Sequence, residues 1–382
     1  METWEFSEDA PGERVPYGQR SYYKPEPLPP TRELEIDEEL SGTISDASFW
    51  LGKLSGLSEM VDYPPLLYTS LIRKEAVESA EIEGADVDMD AVYRFETQGM
   101  DDESDPDRVK SVQEVLNYED AITRGIDALD GGESISTDLV KSLHKTLMRG
   151  VRSDTEVIGE YRDTPVHLGS FVPPSPGSVP GLIDALLSYI RSGGAYHPLI
   201  DIALVHYQFE TIHPFGDGNG RLGRVLVTLQ LYDEGYLDRP NLYLSEYFNR
   251  NKEAYAERMR AVSRDGAWEA WLQFFLTGLE QQARESYERT LELHDLQERY
   301  EETYGDSKRT DARLAMQLFE RPYLTANDVE EMLDVSGPTA YRAIHSLEED
   351  GVLEEVTGKE SHREYRASEI FEILERPPTT YN

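Results

Sequence analysis

The chain has 382 residues, with 75 acidic against 37 basic side chains, a formal net charge of −38 and a pI of about 4.5. This length suggests two or three domains with sizeable cores. The acidic balance disfavours a general nucleic-acid or anionic-membrane surface, so any DNA contact must be local. Because the chain has no cysteine, disulfides, thiolate zinc sites and cysteine nucleophiles are excluded.

The charge pattern also indicates the salt environment in which the protein works. Only nine basic residues are Lys, and the acids run along the whole chain, which is typical of halophilic, salt-accumulating microbes; an ordinary acidic cytosolic protein is the alternative. The first thirty residues have no signal-peptide core, and no run approaches the ~18 apolar residues of a membrane span. We therefore expect a cytoplasmic protein with no membrane partner.

The first three hundred residues are predicted to be mainly helical. Residues 1–38 are rich in Pro and Tyr, which predicts an extended arm over a neighbouring surface. An N-terminal helical region follows over 39–120, and a helical core over 121–285. Within this core, alternation around Val166 and Leu168 predicts a short hairpin, the only strand-like piece before residue 300.

The C-terminal part shows a different pattern. Residues 286–307 are predicted to form a connecting helix. Residues 308–378 are predicted to form one helix, then a pair of helices separated by a tight turn at 335–337, then two short strands. This is the layout of a winged helix-turn-helix domain.

A helix of this kind commonly enters the DNA major groove. Residues 310–376 hold 16 acids and seven bases, a net charge of −9, which is the wrong sign for DNA, although high salt weakens this test. DNA binding through residues 308–378 therefore stays open beside a dimerisation or target-docking role. The basic and polar candidates are Thr339, Arg342 and His345 on the second helix, with Arg363 and Arg366 in the wing.

The most informative stretch is HPFGDGNGRLGR, residues 213–224. Its glycines lead into an apolar helix, which predicts a loop whose N–H groups converge on a phosphate at the helix N-terminus. Arg221 and Arg224 lie one turn apart, so both can reach phosphate oxygens. Asp217 offers a carboxylate to phosphate-bound Mg²⁺, and His213 is placed to take a proton from an attacking hydroxyl.

This stretch resembles, at every defined position, the HPFx(D/E)GNGRxxR signature of Fic-domain proteins. EVLNYEDAI, GEYR and LYLSEYFNRNKEAY are similar to further parts of that family, and the resemblance covers about residues 20–285. DTPVHLGSFVPP replaces the usual longer flap, so the target-docking strand is not placed. The resemblance implies a mainly α fold: a Fic-type helical core with a short β-hairpin flap, followed here by the winged helix-turn-helix domain.

The resemblance also implies a reaction, the transfer of AMP from ATP to a protein Ser, Thr or Tyr hydroxyl with release of pyrophosphate. Gly220 favours this reaction, because family members that transfer phosphate tend to have Lys there. The implied site residues are His213 as the general base, Asp217 as the Mg²⁺ ligand, Gly218, Asn219, Gly220, Arg221, Leu222, Gly223 and Arg224 around the ATP phosphates, and Asn251 and Tyr255 in the adenosine pocket.

Residues 79–84, SAEIEG, resemble the (S/T)xxxE(G/N) inhibitory helix of the family, with Ser79 and Glu83 as its defined positions. A carboxylate at the end of this helix can pair with Arg224 and hold that guanidinium away from the γ-phosphate. In some members the same glutamate orients water to remove AMP, so a reverse activity stays open.

The rival hypothesis is a DNA-binding regulator whose Fic core senses a nucleotide without modifying a target. The intact His213 favours the enzyme, because a sensor needs no base. Transfer of a different nucleotide, modification of the protein itself and a homodimer remain open.

Overall fold

The computed structural model describes residues 7–17, 20–60, 65–98, 105–151, 157–169, 171–305, 308–359 and 362–379. Helices make up 64% of it, which confirms the mainly α prediction. None of the helices in these ranges is long and apolar enough to cross a bilayer.

The arm contains a β-hairpin formed by β1 (Gly12–Tyr17) and β2 (Arg20–Pro25), which pair antiparallel. The prediction that no strand precedes the flap is therefore wrong. Proline is tolerated because both strands of a two-stranded ribbon are edges with one unpaired side. The hairpin contacts the core, since the main-chain N–H of Tyr23 donates to the carbonyl of Val172 at 2.8 Å.

Eleven helices follow in the described part of the chain up to residue 305. They are α1 (Glu38–Met60), α2 (Pro65–Ile82), α3 (Met89–Gln98), α4 (Pro106–Asp130), α5 (Thr137–Leu147), α6 (Val179–Arg191), α7 (Pro198–Ile212), α8 (Asn219–Asp233), α9 (Ser245–Arg250), α10 (Lys252–Asp265) and α11 (Trp268–Tyr304).

Helix α7 is the centre of the fold. Every residue from Leu199 to Ile212 is buried, so this helix is enclosed on all sides rather than amphipathic with one face in solvent. One side of α7 packs into a hydrophobic cluster with α2, α4, α5 and α8, and the other side packs into a second cluster with α1 and α11. Because α7 is packed on both sides, it holds the loop that follows it in a fixed position.

Helix α11 is continuous over 37 residues, so the predicted boundary between residues 285 and 286 falls inside one helix. Its two halves serve different parts of the molecule. The first half packs against α1 and α7, and the second half carries the C-terminal segment. Arg289, fully buried on α11, donates to the carbonyls of Ile373 and Leu374 at 2.8 and 2.6 Å.

The C-terminal segment holds four helices and a three-stranded antiparallel sheet of order β3-β5-β4. The order of its elements is the one expected for a winged helix-turn-helix, and assignment to that class stays a prediction. The elements are α12 (Thr310–Gln317), β3 (Tyr323–Thr325), α13 (Ala326–Leu333), α14 (Gly337–Glu349), β4 (Leu353–Glu355), β5 (Glu364–Ala367) and α15 (Ser368–Glu375).

Candidate active site

His213 ends α7 in the left-handed conformation, with φ 50° and ψ 64°. A non-glycine residue is strained there and needs support from its surroundings. Arg162 supplies that support: its Nε donates to the His213 carbonyl at 2.7 Å and its Nη2 donates to the Pro174 carbonyl at 2.6 Å. The Arg162 main-chain N–H also donates to Pro214 at 2.9 Å. The Arg162 guanidinium thus connects the start of the glycine-rich loop, at His213, to the flap.

The His213 imidazole is half-buried. Burial, its largest influence, lowers the pKa of His213 to about 4, and the carbonyl of Glu210 opposes this shift. The ring is therefore neutral near pH 7. A neutral imidazole is the form that accepts a proton.

The loop after His213 leads directly into the N-terminus of α8. Gly218, at φ 74°, caps the helix, and a Cβ there would lie 2.6 Å from the Met148 sulfur. Asn219 clamps the loop, since its side chain accepts from the Phe215 N–H at 2.8 Å and donates to the Phe215 carbonyl at 3.0 Å. The first N–H groups of α8 have no partner within the helix, as at any helix start. The loop therefore opens onto a helix N-terminus, and anion binding there stays a prediction.

His144 supports this loop from below. Its Nδ1 accepts from the Gly159 N–H at 2.9 Å, so its Nε2 carries the proton and donates to the Asp217 carbonyl at 3.0 Å. The ring also stacks on Phe215, with centroids 3.8 Å apart. These contacts give His144 and Phe215 structural roles in supporting the loop.

Asp217 is the candidate Mg²⁺ ligand, and its side chain is 39% exposed. No cluster of three potential His, Asp or Glu ligands occurs among the residues that the structure describes. A single exposed carboxylate beside a phosphate site fits Mg²⁺, because this ion commonly takes one or two carboxylates together with substrate phosphates. The Mg²⁺ site stays a prediction.

Two arginines project from the start of α8, and both are 3% exposed. Arg221 lies 3.3 Å from the Glu114 carboxylate on α4 and 3.8 Å from that of Asp217. Arg224 is held by α2: its Nε donates to the Ser79 hydroxyl at 2.8 Å, and its Nη2 donates to the Ser79 carbonyl at 3.0 Å and to Glu83 Oε1 at 2.9 Å. The predicted pairing of Glu83 with Arg224 therefore exists in this structure.

Glu83 lies across the loop. A Cβ at Gly220 would be 2.2 Å from Glu83 Oε1, so the absence of a side chain at 220 makes room for this carboxylate. Helix α2 ends one residue earlier, where the ammonium of Lys252 donates to the Ile82 carbonyl, and Gly84 turns the chain with φ 96°. The end of α2 is fixed at the mouth of the site.

The remaining predicted site residues do not all lie around the loop or the cavity. Leu222 is fully buried in the core and Gly223 packs against Glu210, so neither faces the loop mouth. Asn251 binds the Tyr247 carbonyl at 2.9 Å, one turn away, and does not line the cavity described next. Tyr255 is buried and hydrogen-bonded to His206 at 2.8 Å.

A cavity of about 180 Å³ lies at the C-terminal end of α7, the helix that His213 terminates. The flap forms one wall: it consists of a single antiparallel bridge between Leu168 and Phe171, a minimal hairpin. Glu210 and Thr211 at the end of α7 form a second wall, and Tyr255, Met259 and Ser263 of α10 form the third. Apolar walls with a few polar groups suit the sugar and base of a nucleotide.

Three residues of the site escaped the sequence prediction as side-chain contacts: Arg162, Glu114 and Glu210. Their partners lie 51, 107 and 13 positions away in the sequence. GEYR, which contains Arg162, was the one available signal, as part of the family resemblance.

The C-terminal segment departs from the predicted DNA-facing arrangement at one position. Arg366, expected in the wing, lies on β5 and forms ion pairs with Asp90 of α3 at 3.0 Å and with Glu354. Its charge is therefore used inside the molecule. Arg342, His345 and Arg363 are exposed.

The fold and site thus define a mainly α protein with a glycine-rich loop at a helix N-terminus. The profile of the Fic/DOC family matches residues 134–231, and that of the Fic/DOC N-terminal region matches residues 42–127. The chain therefore contains the Fic/DOC domain together with the N-terminal region of that family.

Relatives and solved structures from the same family are also similar to this chain. The protein adenylyltransferase Fic of Aedes aegypti is 41% identical over 80 residues, 20% of this chain and 16% of that protein. The protein of the same name from Drosophila grimshawi is 34% identical over 127 residues, 30% of this chain and 26% of that protein. The chain thus aligns with about a quarter or less of these relatives.

The crystal structure of a Fic family protein from Desulfovibrio desulfuricans G20 is 22% identical, with a TM-score of 0.56, over 87% of this chain and 97% of that one. Fic-1 from C. elegans, residues 134–508, is 18% identical with a TM-score of 0.52, over 67% of this chain and 74% of that one. These two likenesses establish the fold.

Proposed function

We propose that this protein is an autoinhibited protein adenylyltransferase, which moves AMP from ATP to a protein Ser, Thr or Tyr hydroxyl and releases pyrophosphate. One observation carries the proposal: a neutral His213, the N-terminus of α8 and the Arg224 guanidinium meet at one place, with Glu83 on that guanidinium. The names of the relatives support the same reaction.

In the proposed reaction the hydroxyl oxygen attacks the α-phosphorus of ATP. The bond between that phosphorus and the α–β bridging oxygen breaks, pyrophosphate leaves, and His213 takes the hydroxyl proton. The N–H groups of Gly218, Asn219 and Gly220 and the guanidiniums of Arg221 and Arg224 meet the growing negative charge. Mg²⁺ on Asp217, when bound, would neutralise phosphate charge. His213 acts as base and Arg162 holds it in place.

Autoinhibition follows from the same contacts. While Glu83 and Ser79 hold Arg224, its guanidinium cannot reach the γ-phosphate, and the Glu83 carboxylate itself repels phosphate from Gly220. ATP then lacks the clamp that aligns its leaving group.

The proposal is tested by intact-mass analysis after incubation with Mg²⁺ and ATP in molar KCl. We expect Glu83→Gly to gain AMP, the parent to gain much less, and Glu83→Gly with His213→Ala to gain none. Glu81→Gly is the matched control, because Glu81 is also on α2 but binds Asn249 at 2.9 Å. If Glu83→Gly binds ATP yet neither it nor an added substrate protein is modified, the enzyme proposal is wrong and the nucleotide-sensor hypothesis takes its place.

A further inference from the structure

The cavity at the end of α7 is lined by a carboxyl group for which the proposed mechanism has no use. Glu210 lies on α7, one turn before His213, and is 8% exposed. Its Oε1 is buried without a hydrogen-bond partner among the described residues. Buried polar groups in folded proteins are nearly always paired, so an unpaired carboxyl in a cavity wall requires an explanation.

The neighbours of Glu210 do not compensate for its burial. Arg224 is the cation that lowers its pKa, but the Arg224 guanidinium is engaged by Ser79 of α2 and by Glu83 just after that helix. Burial therefore dominates and raises the pKa of Glu210 to about 8. The group is largely protonated near pH 7, so it offers one hydroxyl donor and one carbonyl acceptor.

The sequence of α8 keeps space for this carboxyl. A Cβ at Gly223 would lie 2.2 Å from Glu210 Oε1, so any side chain at 223 would collide with it. Gly223 therefore allows the carboxyl to lie against α8, within one turn of the loop predicted to hold the phosphates. His206, whose Cε1 is 3.4 Å from the same point, pairs its Nε2 with Tyr255 and makes no hydrogen bond to Glu210 in the described part of the structure.

We propose that Glu210 is a specificity-determining residue that hydrogen-bonds a ribose hydroxyl of the bound nucleotide. The sugar is the unit joined directly to the α-phosphate, so it must occupy the part of the cavity next to the helix N-terminus. The flap and α10 then surround the base with Leu168, Phe171, Tyr255 and Met259. A hydroxyl both donates and accepts, which matches the capacity of the Glu210 group.

This inference rests on the proposed nucleotidyl transfer and deepens it by naming what distinguishes ribonucleotides from deoxynucleotides. A site built around a substrate hydroxyl rejects the analogue that lacks it, because the buried partner is then left unpaired. We expect discrimination of about five- to ten-fold between ATP and the deoxy analogue that lacks the contacted hydroxyl.

The test measures binding of ATP, 2′-deoxy-ATP and 3′-deoxy-ATP by calorimetry in the Glu83→Gly background, with and without Glu210→Leu. We expect one deoxy analogue to bind about five- to ten-fold more weakly than ATP, and Glu210→Leu to abolish that ratio by weakening ATP alone. Glu210→Gln should retain the ratio, since an amide also donates and accepts. Glu253→Leu, at an exposed glutamate in the first turn of α10, is the control and should change nothing.

The possible failures are distinguishable. If ATP binds and AMP is transferred but Glu210→Leu leaves the ATP-to-deoxy ratio unchanged, the role of Glu210 is wrong and the proposed function stands. If neither ATP nor either analogue binds the folded Glu83→Gly protein, the proposed function itself fails. Thermal melting of each variant confirms that the comparison is made on folded protein.

Discussion

The guanidinium of Arg224 makes three hydrogen bonds to Ser79 of α2 and to Glu83 just after that helix, and only one of them is to a carboxylate. Ser79 provides the other two and is fully buried, whereas the Glu83 side chain is 38% exposed. Buried hydrogen bonds to a charged group are worth more than exposed ion pairs, because water screens the latter. The serine is therefore a substantial part of the brake.

Replacement of Ser79 by Ala tests this division. We expect Ser79→Ala to lose about 1–2 kcal/mol of stability, since the Arg224 Nε is left unpaired in the interior. Self-modification should rise above that of the parent and stay below that of Glu83→Gly, because Glu83 still holds Nη2. Denaturant unfolding and intact mass measure the two effects. Ser55→Ala, which removes a hydroxyl bound to Asp238 at 2.6 Å, is the control; equal activity of Ser79→Ala and parent would exclude Ser79 from the brake.

Glu210 also predicts a pH dependence of stability. Its pKa is about 8 in the folded protein and near 4.5 when unfolded, so between these values the folded state binds the extra proton. Raising the pH through this window therefore destabilises the parent, and Glu210→Gln removes the effect. We expect the variant to match the parent near pH 5 and to exceed it by roughly 3 kcal/mol at pH 8.5. Urea unfolding at both pH values measures this difference, and parallel pH profiles would contradict the assigned shift. Glu257→Gln, at an exposed position, should follow the parent.

At the scale of elements, Arg162 joins the flap to the junction of α7 and α8. Its guanidinium donates to the carbonyls of His213, Pro174 and Ile212, and no carboxylate pairs with it among the residues that the structure describes. Burial accordingly lowers the pKa of Arg162 to about 10, which still leaves it charged. Because the charged guanidinium of Arg162 binds only carbonyl oxygens, its role is to position the main chain of these segments rather than to neutralise a carboxylate.

Arg162→Gln should therefore loosen two elements together. We expect a loss of about 2–4 kcal/mol, because several buried carbonyls lose their donor. Hydrogen exchange should accelerate in the flap around Leu168 and at His213, while α1 and α11 stay protected. Arg258→Gln, at an exposed position on α10, should have no such effect. Unchanged flap exchange in a destabilised Arg162→Gln would show that the flap is held by other contacts.

Local sequence patterns predicted this site well where the chemistry is contiguous. HPFGDGNGRLGR encodes its own turn, cap and helix start, so its geometry follows from nearby residues. The contact of Glu83 with Arg224, 141 positions apart, was predicted only through the family resemblance. Arg162 and Glu210 gave no periodic signal, because a single buried polar residue reads like any other until its packing partners are known. The β1–β2 hairpin was missed because its prolines argue against strands.

At the scale of the whole molecule, the C-terminal segment is attached to the inhibitory helix through α3. Tyr93 of α3 stacks parallel to Tyr323 of β3 with centroids 6.5 Å apart and packs against Phe371 of α15. The same ring lies 4.4 Å from the guanidinium of Arg73 on α2, and its hydroxyl is 3.2 Å from that of Ser70. The loop that leads from Glu83 into α3 is thus bounded at both ends by packed elements.

Two ion pairs hold this arrangement: Arg94 with the buried Glu364 at 2.8 Å, and Arg366 with Asp90 at 3.0 Å. Each pair joins α3 to β5. Removing one partner of a buried ion pair leaves the other charge uncompensated. This weakens the attachment of the C-terminal segment to α3 more than loss of an exposed pair would. Loosening the C-terminal segment should therefore give α3, and with it the end of α2, more freedom.

The double variant Arg94→Gln with Arg366→Gln should accordingly increase hydrogen exchange in residues 79–98 and raise self-modification several-fold in the parent. In the Glu83→Gly background, where the brake is already absent, the same pair of substitutions should leave self-modification unchanged. Arg342→Gln with Arg363→Gln, at two exposed arginines of the same segment, is the matched control and should alter neither. If exchange rises in α3 while the activity of the parent stays low, α2 holds Glu83 without help from the C-terminal segment. If the activity of both backgrounds changes equally, the substitutions act on the catalytic core rather than through the brake.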